Sequence, residues 1–384
     1  MGLSDVRTVV VGTGFIGVAH VEALRRLGVD VVGVVGSTPE RAREKARTAN
    51  LPAVYDSLDD ALADGAVDVV HIASPNHLHH PQALRVLEGG KHVVCEKPVG
   101  VDSRETSELV EAAASAGVVN AVCFNIRFYP LAHQMAAMVA NGEVGEPRFI
   151  HGAYLQDWLL LETDWNWRLE SEKAGTLRAV ADIGSHWLDL ARFVSGRRVE
   201  EVMAELHTFV TSRTHPTGSV ESFTAVSDDA ETVTEEMVSD DAASIMLRLE
   251  GGARGQVTVS QVAAGHKNRV LVEVDGSESA LAWTSEDPDR LWIGHRGQPN
   301  EIAARDPGAM APSAARLATY PAGHVEGFPD TFRALFSRVY ADVESGRPSP
   351  NPDYPTFVDG HDAVCVTEAV ATSSATGRWA KVER

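Results

Sequence analysis

The sequence predicts an α/β protein in two parts: a doubly wound parallel sheet, then a second α/β region built on a large, mostly antiparallel sheet. Three observations predict it. Short, continuous β-branched runs alternate with helical stretches from Thr8 to about residue 122. After about residue 146 short strands separated by Gly-rich turns take over. The length of 384 residues exceeds what one ordinary core holds, so two domains are expected.

The elements follow in order. TVVV (8–11) is a buried-type strand leading into the helical stretch FIGVAHVEALRRLG. DVVGVVG (30–36) repeats the unit, and Pro39 suits the first turn of the helix after it. DVVHIAS (68–74), KHVVCEKP (91–98) and VVNAVCFN complete the strands, with helices PQALRVLEGG and SRETSELVEAAASAG between them. Continuous apolar strands alternating with helices require a parallel sheet covered on both faces. Beyond it, RFIHGAYLQD (148–157), RRVEEVMAELHTFV (197–210) and four runs between 243 and 285 read as strands of an antiparallel sheet. Residues 211–241 show no periodicity and many Ser, Thr, Asp and Glu, and read as a mobile acidic surface loop. The stretch 294–322 also reads as irregular, and helices over about 325–345 and 359–376 close the chain.

Composition excludes several classes. The formal net charge of −20 is incompatible with a nucleic-acid footprint, which needs a basic face. Cys95, Cys123 and Cys365 are scattered and unpaired in spacing, which fits a reducing compartment and excludes a disulfide framework or a cysteine-based zinc site. No apolar run approaches a membrane span, and the N-terminus enters a strand without a leader pattern, so a cytoplasmic protein is expected.

Gly12-Thr-Gly14-Phe15-Ile16-Gly17 follows the first strand and opens a helix. The first glycine permits the tight turn, and the second lets backbone approach a pyrophosphate. The third allows close helix–strand packing, while the helix N-terminus attracts the phosphate charge. That is a dinucleotide site of the Rossmann kind. An NAD-preferring version ends its second strand with an acid for the ribose 2′-hydroxyl, but this chain has Gly36-Ser37-Thr38 there. With no carboxylate to repel a 2′-phosphate, Ser37, Thr38 and Arg41 would accept one, which tilts an NAD(P) site modestly toward NADP.

The fourth strand ends in CEKP, which aims Lys97 at the carboxyl edge of the sheet, where ligands of open α/β sheets lie. ADIGSHWLDL (181–190) spaces Asp182, His186 and Asp189 so that an α-helix would put all three on one face. Read alone, that stretch is equally a helix start capped by Asp182 with a core histidine. Together, SPNHLH (74–79), GGKHVVCEKP and DIGSHWLDL resemble the Gfo/Idh/MocA oxidoreductase family, from the glycine loop through GHVEGF (323–328).

The resemblance implies a Rossmann domain over 1–124 and a substrate and oligomerisation domain with an open, mostly antiparallel sheet over 125–384. On this pattern the C-terminal helices are expected to pack back on the first domain. It implies homodimers or homotetramers. It places Lys97, Asp182 and His186 together at the nicotinamide as the catalytic set. Phe15, Ile16, Ser74, Pro75, Asn76, His79 and Glu96 line the cofactor groove with the glycines. Asp189 stays outside the catalytic set, as an acid that anchors its helix. His77, His79 and His80 lack an acid or cysteine at ligand spacing, so no metal is expected.

Those residue types suit alcohol oxidation: neutral His186 accepts the hydroxyl proton, cationic Lys97 stabilises the alkoxide, and Asp182 binds a neighbouring hydroxyl. The stretch YLQDWLLLETDWNWRL (154–169) offers Tyr154, Gln156, Trp165 and Arg168 to a sugar, while Asn125, Arg127 and His324 approach from FNIRFYP and GHVEGF. The expected reaction is NAD(P)-dependent hydride transfer at a secondary alcohol of a sugar, cyclitol or glycoside. Two alternatives stay open at this point: an NAD-dependent glycosidase working by transient oxidation and elimination, and a non-catalytic dinucleotide sensor.

Overall fold

The computed structural model describes residues 2–217 and 231–384, which divide into two compact units. The first comprises Met1–Asn125, Glu172–Gly175 and Pro329–Val364; the second comprises Ile126–Ser171, Thr176–Phe328 and Cys365–Arg384.

The first unit is a six-stranded parallel sheet of β1 (Arg7–Val11), β2 (Asp30–Val35), β3 (Ala53–Val54), β4 (Val69–Ile72), β5 (His92–Cys95) and β6 (Asn120–Val122), in the order β3-β2-β1-β4-β5-β6. Val9, Val10, Val69, Val70, Ile72, Val93 and Val94 are all fully buried, because helices cover both faces and leave no polar side to alternate with. The helices are α1 (Phe15–Leu27), α2 (Pro39–Thr48), α3 (Leu58–Ala63), α4 (His79–Glu88) and α5 (Ser103–Ala116). Their starts are written locally. Thr38 caps α2 with Pro39 in its first turn, and Asp102 caps α5 by accepting from the Glu105 amide at 2.7 Å.

The short α7 (Ser171–Ala174) lies mostly in the first unit, and the second unit contains α6 (Pro130–Ala140), β7 (Pro147–Leu155), α8 (Ser185–Ser195), β8 (Val199–His207), β9 (Ser212–Pro216), β10 (Thr232–Glu236), β11 (Ala242–Leu249), β12 (Arg254–Ser260), β13 (Arg269–Gly276), β14 (Ser279–Thr284), β15 (Arg290–His295), β16 (Glu301–Ala304), α9 (Pro312–Ala315) and β17 (Ala380–Lys381). Nine of its strands form one sheet in the order β16-β15-β14-β13-β7-β12-β11-β8-β17, antiparallel throughout except for the β7–β12 pair. Period-two burial along β11 and β12 shows one face on the core. Trp187 of α8 is fully buried on that face and its indole N–H donates to the Leu271 carbonyl at 2.8 Å. Gly152 of β7 is required beneath it: a Cβ there would lie 1.9 Å from the Leu271 oxygen. The closing helices α10 (Phe328–Ser345) and α11 (Phe357–Thr376) agree with the sequence reading, and each has residues in both units. Among the described residues no helix is long and apolar enough to cross a membrane.

Two expectations fail. Residues 211–241 are not a featureless acidic loop: β9 and β10 pair as an antiparallel hairpin, and residues 218–230 lie outside the described residues. The acids at its end are buried rather than solvated. Asp241 accepts from Arg178 and, at 3.3 Å, from Arg213, while the Phe209 and Val210 amides reach it at 2.6 and 2.7 Å. Asp240 accepts from the Arg178 and Val180 amides. Partners 28 to 63 residues away decide the placement, so local composition could not reveal it. Likewise 294–322 holds β16 and α9 around the buried Arg305, which pairs with Asp289 at 2.8 Å and Glu326 at 3.0 Å.

Removing Asp241 leaves two buried guanidinium groups without their shared counter-charge. Asp241→Ala should therefore destabilise the second unit by about 3–5 kcal/mol, read as the loss of unfolding free energy in urea. A loss under about 1 kcal/mol would show that the arginines find other partners.

Candidate active site

The glycine loop is shaped by what cannot fit beside it. Gly12 leaves β1 at φ 104°, and a Cβ there would sit 2.3 Å from the Ala73 carbonyl oxygen. At Gly17 a Cβ would lie 1.9 Å from the oxygen of Gly12, so loop and helix could not close together. Gly14, the residue before α1, has nothing within 4 Å of its would-be Cβ, leaving open space at the helix N-terminus. Phe15 is exposed at the same place. This cradle fits a pyrophosphate. After β2, Thr38 accepts from the Arg41 amide at 3.3 Å as a helix cap, and Ser37 and Arg41 are exposed.

The ends of β4 and β5 are tied to each other. The His79 ring bridges the Ser74 carbonyl at 2.7 Å and the Pro98 carbonyl at 2.6 Å, so it braces two loops rather than offering a free ring to a metal. Ser74 donates to Gln82 at 2.6 Å, and the Asn76 amide donates to the Ala174 carbonyl at 3.1 Å. Pro75 precedes the short turn that carries Asn76. Lys97 follows Glu96 and leads into a cis peptide with Pro98. Glu96 turns inward: its carboxylate pairs with His20 Nε2 at 3.1 Å. Burial would raise that carboxyl, but His20, then Lys97 and Cys123, outweigh it and hold the group at about 2. Behind His20 lie His71 and Tyr340, at 3.0 Å contacts in succession, and Thr8 at 2.8 Å from the Tyr340 hydroxyl.

In the second unit, residues Val180–Gly184 form a π-helical turn that runs straight into α8. Asp182 does not cap a helix. One carboxylate oxygen accepts from Arg168 Nε at 3.1 Å and the other from the Gln261 amide at 2.8 Å. Gln261 accepts in turn from Arg178 at 3.3 Å, which fixes its amide with nitrogen toward Asp182. His186 is buried, 7% exposed, within ring distance of Tyr154 (6.4 Å). Tyr154 and Gln156 both donate to Asn268 at 2.9 Å, and Trp158 donates to Gln156 at 2.7 Å. Burial pushes the Tyr154 phenol up, so it stays a donor.

Other expected substrate residues have structural partners. Arg127 makes a two-point pair with Asp189, its Nε donating at 2.9 Å, and its guanidinium lies over Phe193. Asp189 thus fastens α8 to the segment before α6. In the first unit Asn125 donates to Thr331 at 2.8 Å. Trp165 stacks on His215 of β9 with ring centroids 3.4 Å apart. His324 is exposed, and its carbonyl accepts from Arg305.

A family model described as an oxidoreductase family with an NAD-binding Rossmann fold matches residues 6–124, and the GFO/IDH/MocA C-terminal domain matches 132–282. The chain belongs to the GFO/IDH/MocA oxidoreductase family. It is 28% identical to levoglucosan dehydrogenase from Pseudarthrobacter phenanthrenivorans over 393 residues, 97% of each chain. Its fold is similar to that of a levoglucosan dehydrogenase in complex with NADH and L-sorbose (TM-score 0.87, 26% identity, 99% of both chains). It is also similar to an inositol dehydrogenase homologue complexed with NAD+ from Azotobacter vinelandii (TM-score 0.84, 26% identity, 98% of this chain and 97% of that one). The first unit is accordingly an NAD-binding fold, and the chain is an oxidoreductase. The lean toward NADP drawn from Ser37, Thr38 and Arg41 finds no support in these relatives.

Sequence reasoning missed Gln261, Asn268, Arg178, His20 and His71. For the histidines a signal existed, since each interrupts an apolar face that must be buried. Gln261 and Asn268 gave none, because only the sheet brings them to Asp182 and Tyr154.

His71 is fully buried, and burial holds its ring neutral well below the ordinary histidine range. The unfolded chain takes up a proton below pH ~6.5 that the folded ring refuses, so stability should fall as pH drops from 7.5 to 5.5, by up to ~1.4 kcal/mol per pH unit. Glu96 has the usual carboxylate sign: its contribution is present above pH ~4.5 and lost as pH falls toward 2. Urea midpoints at the two pH values check the first effect, which His71→Leu should reduce; an equal fall in that variant would contradict it.

Proposed function

We propose that the chain is an NAD(H)-dependent dehydrogenase that transfers hydride between the nicotinamide and a secondary alcohol carbon of a ring-form sugar, with levoglucosan as the first substrate to test. The observation that carries this reading is the Asp182 carboxylate, held by Arg168 and Gln261 one helical turn before His186, in a chain similar over 97% of its length to levoglucosan dehydrogenase. NAD+ supplies the hydride acceptor, and the protein must supply everything else. His186 accepts the hydroxyl proton as the C–H bond breaks. Lys97 stabilises the alkoxide that develops on the same oxygen. Asp182, with both oxygens already directed by donors, accepts from a neighbouring hydroxyl and orients the sugar. Tyr154, Gln156 and Asn268 supply further donors and acceptors for hydroxyl groups, and Arg168 lies over the Trp167 ring at 4.5 Å, a flat surface suited to sugar C–H faces.

Cofactor choice follows from the residues after β2. No carboxylate at 36–38 repels a 2′-phosphate, so NADP(H) is a tolerated second cofactor while NAD(H) remains the main one.

Lys97→Ala and His186→Ala should each lower kcat at least ~100-fold, the scale of a lost acid–base or charge-stabilising group, while NADH affinity stays within about threefold. Absorbance at 340 nm with levoglucosan, L-sorbose and an inositol, using either cofactor, reads both activity and preference. Near-normal turnover in both variants would overturn the assignment. Release of free sugar from glycosides with no net change at 340 nm would favour the glycosidase reading instead.

A further inference from the structure

The first unit buries a polar chain that an apolar core would not need. His20 on α1, His71 on β4, Tyr340 on α10 and Thr8 on β1 are all 0% exposed. Phe332 and Phe336 pack edge-on or tilted against the two imidazoles, with ring centroids 4.7–5.5 Å apart. The contacts run Thr8–Tyr340 (2.8 Å), Tyr340–His71 Nε2 (3.0 Å), His71 Nδ1–His20 Nδ1 (3.0 Å) and His20 Nε2–Glu96 (3.1 Å).

Only one arrangement of protons satisfies every link with both rings neutral. An ionised Glu96 can only accept, so His20 Nε2 carries hydrogen and His20 Nδ1 presents a lone pair. His71 must then donate from Nδ1 and accept at Nε2 from the Tyr340 hydroxyl, which accepts from Thr8. Burial pushes the Tyr340 phenol up and keeps it a donor, in agreement with that direction. With both rings neutral every donor in the chain points toward Glu96, whose amide is also tied to the Ile72 carbonyl at 2.8 Å. The Cys123 thiol lies 3.7 Å from His20 Nε2 and, pushed up by burial, adds no charge.

We propose that His20 is a positioning residue for Lys97: it fixes the Glu96 carboxylate one residue before the lysine, and His71, Tyr340 and Thr8 lock the His20 ring in the donating tautomer. This rests on the reading of Lys97 as the cation that stabilises the alkoxide. The two charges already feel each other, since Lys97 contributes to holding Glu96 ionised. The attraction is mutual, so a carboxylate that is fixed in place and in charge holds the ammonium in register with the reacting oxygen. A carboxyl without its donor would turn neutral in its buried site and release that hold.

The test is a double-mutant cycle on kcat, with NADH affinity and sugar KM measured alongside. His20→Phe should lower kcat about tenfold or more with KM and NADH Kd within about threefold, and His20→Gln, which keeps an N–H donor, should recover much of the loss. Glu96→Gln combined with His20→Phe should be no worse than Glu96→Gln alone, because both act through one carboxylate. Tyr340→Phe removes only a hydroxyl and decides the matter if His20→Phe does not fold; it should lower kcat by about threefold with KM unchanged. Additive losses, failure of His20→Gln to recover activity, a parallel loss of NADH binding, or wild-type kcat in Tyr340→Phe would overturn the proposal. Lys97→Ala is run beside them: if it turns over normally, the reading of Lys97 falls, and if it is inactive while the His20 and Tyr340 variants are not, the positioning role alone falls.

Discussion

A carboxylate taken out of water must find donors for its oxygens, and the buried acids Glu96 and Asp241, with the half-buried Asp182, shape this molecule through that requirement. Asp241 draws two arginines and two backbone amides to one point, which brings the hairpin of β9 and β10 to the end of β11. One of those arginines orients Gln261, and Gln261 orients Asp182. Glu96 fixes a histidine on α1 and, through it, a line of hydrogen bonds to β4, α10 and β1. In each unit the residue proposed to act on substrate is close to a charge whose position is set by groups far along the chain.

This arrangement explains what sequence reading could and could not reach. The parallel sheet was legible because its strands are continuous apolar runs and its helices carry local caps such as Thr38 and Asp102. The glycine loop was legible because its spacing sits between a strand and a helix start, although only the contact that demands Gly17 is local; the one that demands Gly12 comes from Ala73. The acids at 240 and 241 were not, since their surroundings in sequence are polar and only Arg178 and Arg213 turn them inward. Asp189 was read as a helix anchor, and its pair with Arg127 gives that role a partner, while withdrawing Arg127's guanidinium from ready use by a sugar. Trp165 similarly gives one ring face to His215.

The family sets the chemistry, and local detail sets what is particular to this chain. Similarity to levoglucosan dehydrogenase extends over nearly the whole length, through both the Rossmann and the C-terminal family regions. The residues after β2 depart from the acid-ended pattern of NAD-preferring folds, whereas the relatives compared above are complexes with NADH and NAD+.

The most direct test of the account follows the hydrogen itself. A sugar that turns over, deuterated at the carbinol carbon, is incubated with NAD+ and the enzyme, and both products are analysed by mass spectrometry. Hydride transfer predicts one deuterium in the reduced cofactor for each sugar oxidised, with a slowed C–H step. Deuterium retained in the sugar product, or lost to water with no labelled cofactor, would contradict it.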